Sequence, residues 1–215
     1  MGTIPFDAQE REALCDLFEE LGADAPTLLE GWTARDLAAH LVLRERDILA
    51  GPCMVLPGPF ARFADRRRAN LVAHNEFGWL VDRLRSGPPA GFFRLGWVRS
   101  FPSLNEFFVH HEDLRRANGL GPRHEMPPAL QDALWRNVRR GGRFLSRRLR
   151  GVRLDLERAG TGERVTVRRG EPAVRLRGAP GELLLYLFGR QDAAEVEALG
   201  PAPAVDTVGR TRFGM

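Results

Sequence analysis

Apolar residues recur three and four apart through roughly the first 120 positions of the chain, and at every second position over much of the remainder. Leu14, Leu17, Phe18 and Leu21, separated by Glu and Arg, predict an amphipathic helix over residues 6–21 that Gly22 stops. A second helix is expected from Thr33, which with Asp36 has the spacing of a capping box, to about Ala50. Residues 51–59 hold three prolines and two glycines and read as an irregular loop. Leu71, Phe77, Leu80, Val81 and Leu84 mark the core side of a third helix over about Phe63 to Leu84. An aromatic connection comes next at 90–102, carrying Phe92, Phe93, Trp97 and Phe101. A fourth helix is expected from Ser103, its N-cap, to Asn118, with Gly119 and Pro122 ending it. Four such helices with one long linker predict a four-helix bundle.

Beyond Pro127 the period changes. Residues 128–150 still read as helical through Leu130, Leu134, Val138, Leu145 and Leu149, but are crowded with arginine. Val152-Arg153-Leu154-Asp155-Leu156-Glu157, Val165-Thr166-Val167-Arg168 and Val174-Arg175-Leu176-Arg177 then alternate apolar and polar as half-buried strands do, with Gly160-Thr161-Gly162 as a turn. Residues 180–190 read as a short buried helix. The expected fold class is α+β: a bundle over 1–122, a small helix-and-sheet domain over 127–200, and a proline- and glycine-rich tail over 201–215.

Composition narrows the function classes. With 215 residues, 43% of them hydrophobic, the chain can build a substantial core. No stretch approaches the roughly 18 uninterrupted apolar residues of a membrane span, and the N-terminus has no basic segment followed by an apolar run, so a cytoplasmic protein without a membrane partner is expected. The 32 basic residues against 28 acidic ones leave a net charge of only +4, and every basic residue is arginine. The high pI therefore reflects the arginine pKa rather than a strongly positive surface, and nucleic acid is not the expected partner. The arginine run over 136–153 reads as a solvated face paired with acids elsewhere, with anion binding as the alternative. Cys15 and Cys53 form neither a CxxC nor a zinc-ribbon spacing and read as a buried thiol and a loop thiol.

The candidate chemistry sits on the fourth helix. Positions four apart share a helix face, so Glu106 and His110 direct a carboxylate and an imidazole to one spot. His40, on the inward side of the second helix with Leu37, Leu41 and Arg44, offers a third donor. Two His and one carboxylate leave open positions on a divalent ion, as catalytic zinc and some iron sites require. A carboxylate and an imidazole on an apolar-flanked face are costly unless something neutralises them, and a divalent cation does so. His111 lies about 100° around the helix and is expected to be a bystander. Asp113 is read either as an outer partner holding a ligand or as an ion-pair partner of Arg116. His74 and His124 carry no spacing signal.

Gly31-Trp32-Thr33-Ala34-Arg35-Asp36-Leu37-Ala38-Ala39-His40-Leu41 and Asn105-Glu106-Phe107-Phe108-Val109-His110-His111-Glu112-Asp113, in this order, resemble the DinB-like superfamily, specifically its mycothiol-dependent maleylpyruvate isomerase branch and actinobacterial metal-binding relatives. The resemblance covers about residues 5–120 and extends more loosely beyond. It implies a DinB-like bundle in which His40, Glu106 and His110 ligate a divalent metal, zinc first with nickel or iron as alternatives. It also implies a transferase or isomerase that activates a small-molecule thiol, mycothiol, against an electrophile. Leu187-Phe188-Gly189-Arg190 resembles the final signature of the related C-terminal domain, which makes Arg190 the candidate for anion recognition. The all-arginine basic set fits a high-GC actinobacterial origin. The competing reading is a non-enzymatic metal-binding or sensory module whose arginine-rich second domain engages an acidic partner, with the ion's shell closed by Asp113, His111 or His74. Either a monomer or a homodimer is compatible with the sequence.

Overall fold

The computed structural model describes residues 5–47 and 58–214. The loop expected at 51–59 falls largely outside them, as does Cys53, whereas the second helix, expected to reach about Ala50, ends at Arg46 with Asp47 extended. The fold is α+β, with helices and one four-stranded sheet, and the chain forms two compact units, Met1–Pro122 and Arg123–Met215.

In the first unit, α1 (Phe6–Leu21) packs against α4 (Phe77–Arg85) and α5 (Leu104–Ala117), and α2 (Ala34–Arg46) packs against α3 (Pro59–His74) and α4. The apolar stripes anticipated from the spacing meet in one core: Leu14, Leu17 and Phe18 from α1, Leu37 and Leu41 from α2, Leu80 and Leu84 from α4, Phe107 and Leu114 from α5. The Asp36 carboxylate accepts hydrogen bonds from the Thr33 N–H at 3.1 Å and the Thr33 hydroxyl at 2.9 Å, which fixes where α2 starts and hence the phase of His40 on it.

Two further helix limits differ from those the apolar period suggests. The helix expected across 63–84 is divided at Asn75 and Glu76, where Asn75 is extended and its side-chain amide donates to the Leu71 carbonyl. A short polar side chain that bonds backbone locally competes with the helical ladder. Ser103 is not an N-cap, because its own dihedrals are helical. The helical path begins at Gly96 and passes through a wide, π-type turn at Arg99–Ser103 before α5. Pro102 in that turn has no N–H to give the carbonyl four residues back, and a wider turn accommodates it.

Cys15 is fully buried, with Sγ 3.9 Å from the Val81 carbonyl, and burial pushes its thiol up to about 12. Alkylation at pH 8 mapped by mass spectrometry is expected to leave Cys15 unmodified in the native protein and to modify it in denaturant. Native labelling at a rate near that of a free thiol would contradict this burial.

The second unit sets α6 (Pro128–Leu145) and α7 (Pro180–Leu187) against each other and against a sheet of order β2-β1-β3-β4. Its strands are β1 (Arg153–Arg158), β2 (Arg164–Arg168), β3 (Ala173–Gly178) and β4 (Glu197–Leu199). β1 runs antiparallel to β2 and parallel to β3, and β3 is antiparallel to β4. The alternation resolves as expected, with Leu154, Leu156, Val174 and Leu176 buried. The segment after Gly200 is not a loose tail: Ala202–Arg210 forms α8, which packs on β3 through contacts that bury Ala204 and Val208, and Phe213 is buried beyond it. No helix of the described residues is long and apolar enough to cross a membrane.

Candidate metal centre

α2 supplies His40 and α5 supplies Glu106 and His110, and one donor atom from each lies within 4.8 Å of the other two. Nε2 of His110 is 3.5 Å and Nε2 of His40 is 3.8 Å from the same oxygen, Oε2 of Glu106. Bonds of about 2.0–2.1 Å at a tetrahedral angle place ligand atoms about 3.3 Å apart. The two measured separations are somewhat longer than that, near enough for the three donors to close on one ion, and slightly too far apart for the donors to satisfy one another by good hydrogen bonds. The two imidazoles lie edge to face, centroids 5.1 Å apart.

Asp113, fully buried one turn on, has Oδ2 2.9 Å from Nδ1 of His110. A carboxylate can only accept, so Nδ1 carries the proton and the Nε2 lone pair is turned toward Glu106. This is the outer support that metal-binding histidines ordinarily have. Arg116, the other partner considered for Asp113, pairs with Glu112 at 2.8 Å.

The local electrostatics come from burial and from one cation. Burial opposes ionisation of Glu106, but the Arg44 guanidinium, with Nε 3.6 Å away, and the two histidines beside it outweigh burial and hold the carboxyl well below the usual carboxylate range. Burial pushes His40 down, and its contact with Glu106 only partly offsets this. Burial also opposes protonation of His110, yet Asp113 and Glu106 prevail and raise it. The site thus has an ionised carboxylate, a neutral His40 and a His110 oriented from behind, a donor set that suits a divalent cation such as zinc.

Neighbours not singled out by spacing complete the surroundings. Arg44 lies one turn beyond His40, on the side where the i,i+4 spacing places it. Its side chain is 11% exposed, it faces the Phe93 ring at 5.5 Å, and its Nη1 is buried without a hydrogen-bond partner. A pocket of about 140 Å³ reaches His40 between Trp32, Ala61, Ala64, Asp65 and Arg68. Trp32 packs edge-on to His40 at 5.3 Å, and Arg68 lies 4.2 Å over the Trp32 ring while pairing with Asp36. Nothing in the local sequence around Arg68 announces this.

The remaining candidates are occupied elsewhere. His111 points away from the cluster, with Nδ1 3.1 Å from Oε2 of Glu10. His74 is exposed with Nδ1 2.8 Å from the Asn70 carbonyl oxygen, and His124 lies 3.6 Å from Glu195. Arg190 belongs to the second unit, where Nη1 donates to the Phe188 carbonyl at 2.7 Å.

No protein-family model and no curated protein matches the sequence. Among solved structures, the crystal structure of the mycothiol-dependent maleylpyruvate isomerase is similar at a TM-score of 0.57 and 16% identity, covering 90% of this chain and 90% of that one. A histidine-to-alanine mutant of that enzyme gives a TM-score of 0.52 at 16% identity, covering 89% of this chain and 90% of the other. Across nine-tenths of both chains, the protein thus shares the fold of a mycothiol-dependent isomerase.

Proposed function

We propose that His40, Glu106 and His110 bind a divalent metal, zinc first, in a DinB-like four-helix bundle, and that the protein is a cytoplasmic metal-dependent thiol transferase or isomerase. The observation that carries this reading is the convergence of three donors of one metal-binding set on a single point, with Asp113 orienting His110 from behind. The shared fold with a mycothiol-dependent enzyme supports a thiol, mycothiol, as cosubstrate.

A divalent ion in this site would supply Lewis acidity, lowering the pKa of a coordinated thiol so that it is a thiolate near neutral pH. The chain's own residues do the rest. Asp113 holds the proton on Nδ1 of His110 and keeps Nε2 available. Glu106 brings the one anionic donor, and Arg44 keeps it ionised. Trp32 and Arg68 wall the pocket that reaches His40 and limit what approaches it. Arg190 is assigned the recognition of an anionic group on the electrophile, on its match to the C-terminal signature. The competing reading, a closed structural ion, needs a fourth protein ligand. Its three candidates, Asp113, His111 and His74, are engaged with His110, Glu10 and the Asn70 carbonyl, which favours an open position and hence catalysis.

Elemental analysis of the full chain, purified without chelator and supplied with zinc, is the direct test. About one equivalent is expected for the wild type and none for His40→Ala, with turnover of mycothiol and a panel of electrophiles tracking the metal content. A wild-type protein that takes up no metal would refute the reading at its first step. Full metal content without turnover would leave the non-enzymatic module standing.

A further inference from the structure

The arginine-rich stretch at the start of the second unit supplies no residue to the His40, Glu106 and His110 cluster. Its side chains divide into two kinds. Several arginines of this unit meet an acid: Arg139 with Glu163 at 3.6 Å, Arg153 with Asp155 at 3.1 Å, Arg158 with Asp132 at 2.7 Å, Arg164 with Glu157 at 2.6 Å, Arg177 with Glu157 and Glu197 at 3.4 and 3.5 Å. Arg143, Arg168 and Arg169 are among the described arginines that do not, and these three come together around one concavity of about 450 Å³ with Thr166 and Val167.

The backbone explains why they meet. Gly142 has no side chain, and a Cβ there would lie 2.6 Å from Cγ1 of Val167, so glycine lets α6 rest directly on β2. That approach brings Arg143, the next residue, beside the end of an edge strand that carries Arg168, with Arg169 just past it. Arg168 donates from Nη2 to the Leu149 carbonyl at 3.1 Å, while its Nε is buried with no partner. Thr166 is not a free donor, since its hydroxyl donates to Asp155 at 2.5 Å, and Arg153 neutralises that carboxylate. Three like charges around one hollow repel each other unless an anion lies between them, and guanidinium forks match oxygens set at the spacing of a phosphoryl or carboxylate group.

We propose that Arg143, Arg168 and Arg169 form a binding site for a small multivalent oxyanion on the second unit, separate from the His40, Glu106 and His110 cluster. The dimensions suit a phosphorylated or polycarboxylate metabolite rather than a polymer. Phosphoryl and carboxylate anions share the required chemistry, so pyrophosphate and citrate serve as the two probes.

Isothermal titration of the full-length protein, at low and matched ionic strength, tests the site. A single saturable event is expected with at least one probe, weakened at least tenfold in Arg143→Gln and in Arg169→Gln. Both residues are exposed, so the substitutions leave the core untouched, and circular dichroism verifies this. Tighter pyrophosphate than citrate identifies a phosphoryl ligand, and the reverse a polycarboxylate. His40→Ala is expected to bind the probes as the wild type does. Absence of saturable binding overturns the proposal. So does binding that survives both arginine substitutions, or binding that disappears in His40→Ala and so belongs to the metal cluster.

Discussion

His110→Ala is expected to abolish zinc-dependent thermal stabilisation. A ligand held only by the folded state stabilises it by about 2.7 kcal/mol when present at roughly a hundred times its Kd. For a chain of this size that corresponds to a rise in Tm of about 5–10 °C. Removing His110 deletes one of three protein donors and leaves the buried Asp113 carboxylate without its N–H partner, so the variant should start lower and gain nothing from zinc. Asp113→Asn keeps the shape but withdraws the charge that orients the ring, and should weaken zinc by about 10–100-fold rather than abolish it. Because Asp113 and Glu106 overcome burial and hold a proton on His110 to higher pH than a free imidazole would, zinc affinity should fall as the solution is acidified below neutrality. Thermal melts across a zinc gradient at several pH values, with a chelator control, check all three. A full zinc shift in His110→Ala would show that the donor set is wrong.

Arg11→Met is expected to cost about 3–5 kcal/mol of folding stability at pH 7. Arg11 and Glu45 pair at 2.5 Å with side chains only 6% and 1% exposed, and the guanidinium also covers the Phe107 ring at 4.4 Å. Burial raises the Glu45 carboxyl above its ordinary value even though Arg11 opposes the shift, so without Arg11 the rise is larger. A carboxyl whose folded pKa is raised binds more protons folded than unfolded. Its contribution is most favourable below the ordinary carboxylate range and is lost as the pH climbs through the folded value. The variant should therefore be less impaired near pH 4 than at pH 7. Arg11→Met combined with Glu45→Leu should recover much of the loss, because an apolar pair removes the unpaired charge. Urea unfolding at the two pH values measures each effect, and equal destabilisation at both would show that Glu45 is not the group left exposed to the change.

Periodicity found what periodicity can encode. The apolar spacing of Leu14, Leu17 and Phe18, and the alternation through Leu154, Leu156, Val174 and Leu176, correspond to elements that bury those side chains. The i,i+4 relation placed Glu106 and His110 on one face of α5. Neither helix's own period, however, says that His40 will meet them; its inward position and donor type made it a candidate, and the resemblance joined the two segments. Arg68 reaches Trp32 through tertiary packing alone, and Arg44 was visible only as a neighbour of His40 on the same face. The division at Asn75 was hidden because apolar residues keep helical phase across it, whereas a side chain bonding to the Leu71 carbonyl ends the ladder. Strand β4 has only three residues, none of them fully buried, so it leaves no alternation to read. Helix α8 is obscured by proline and glycine, which read as a loop, yet Pro201 precedes its first residue and Pro203 falls within its first turn, where an absent N–H costs nothing.

The wide turn at Arg99–Ser103 bears on how the protein can tolerate changes in length. A π-type turn carries one residue more than the α period requires, and a single residue corresponds to about 100° of rotation along a helix. Deleting one residue there would let the ladder run regularly and keep Leu104–Ala117 in phase with its own core, so Glu106 and His110 would stay where they are. The rotation would fall instead on the segment before it, turning the fully buried Val98 and the Arg99 contact with Asp7 out of register. A one-residue deletion there is thus expected to cost the Val98 packing and the Arg99–Asp7 contact while leaving the ligand geometry in place.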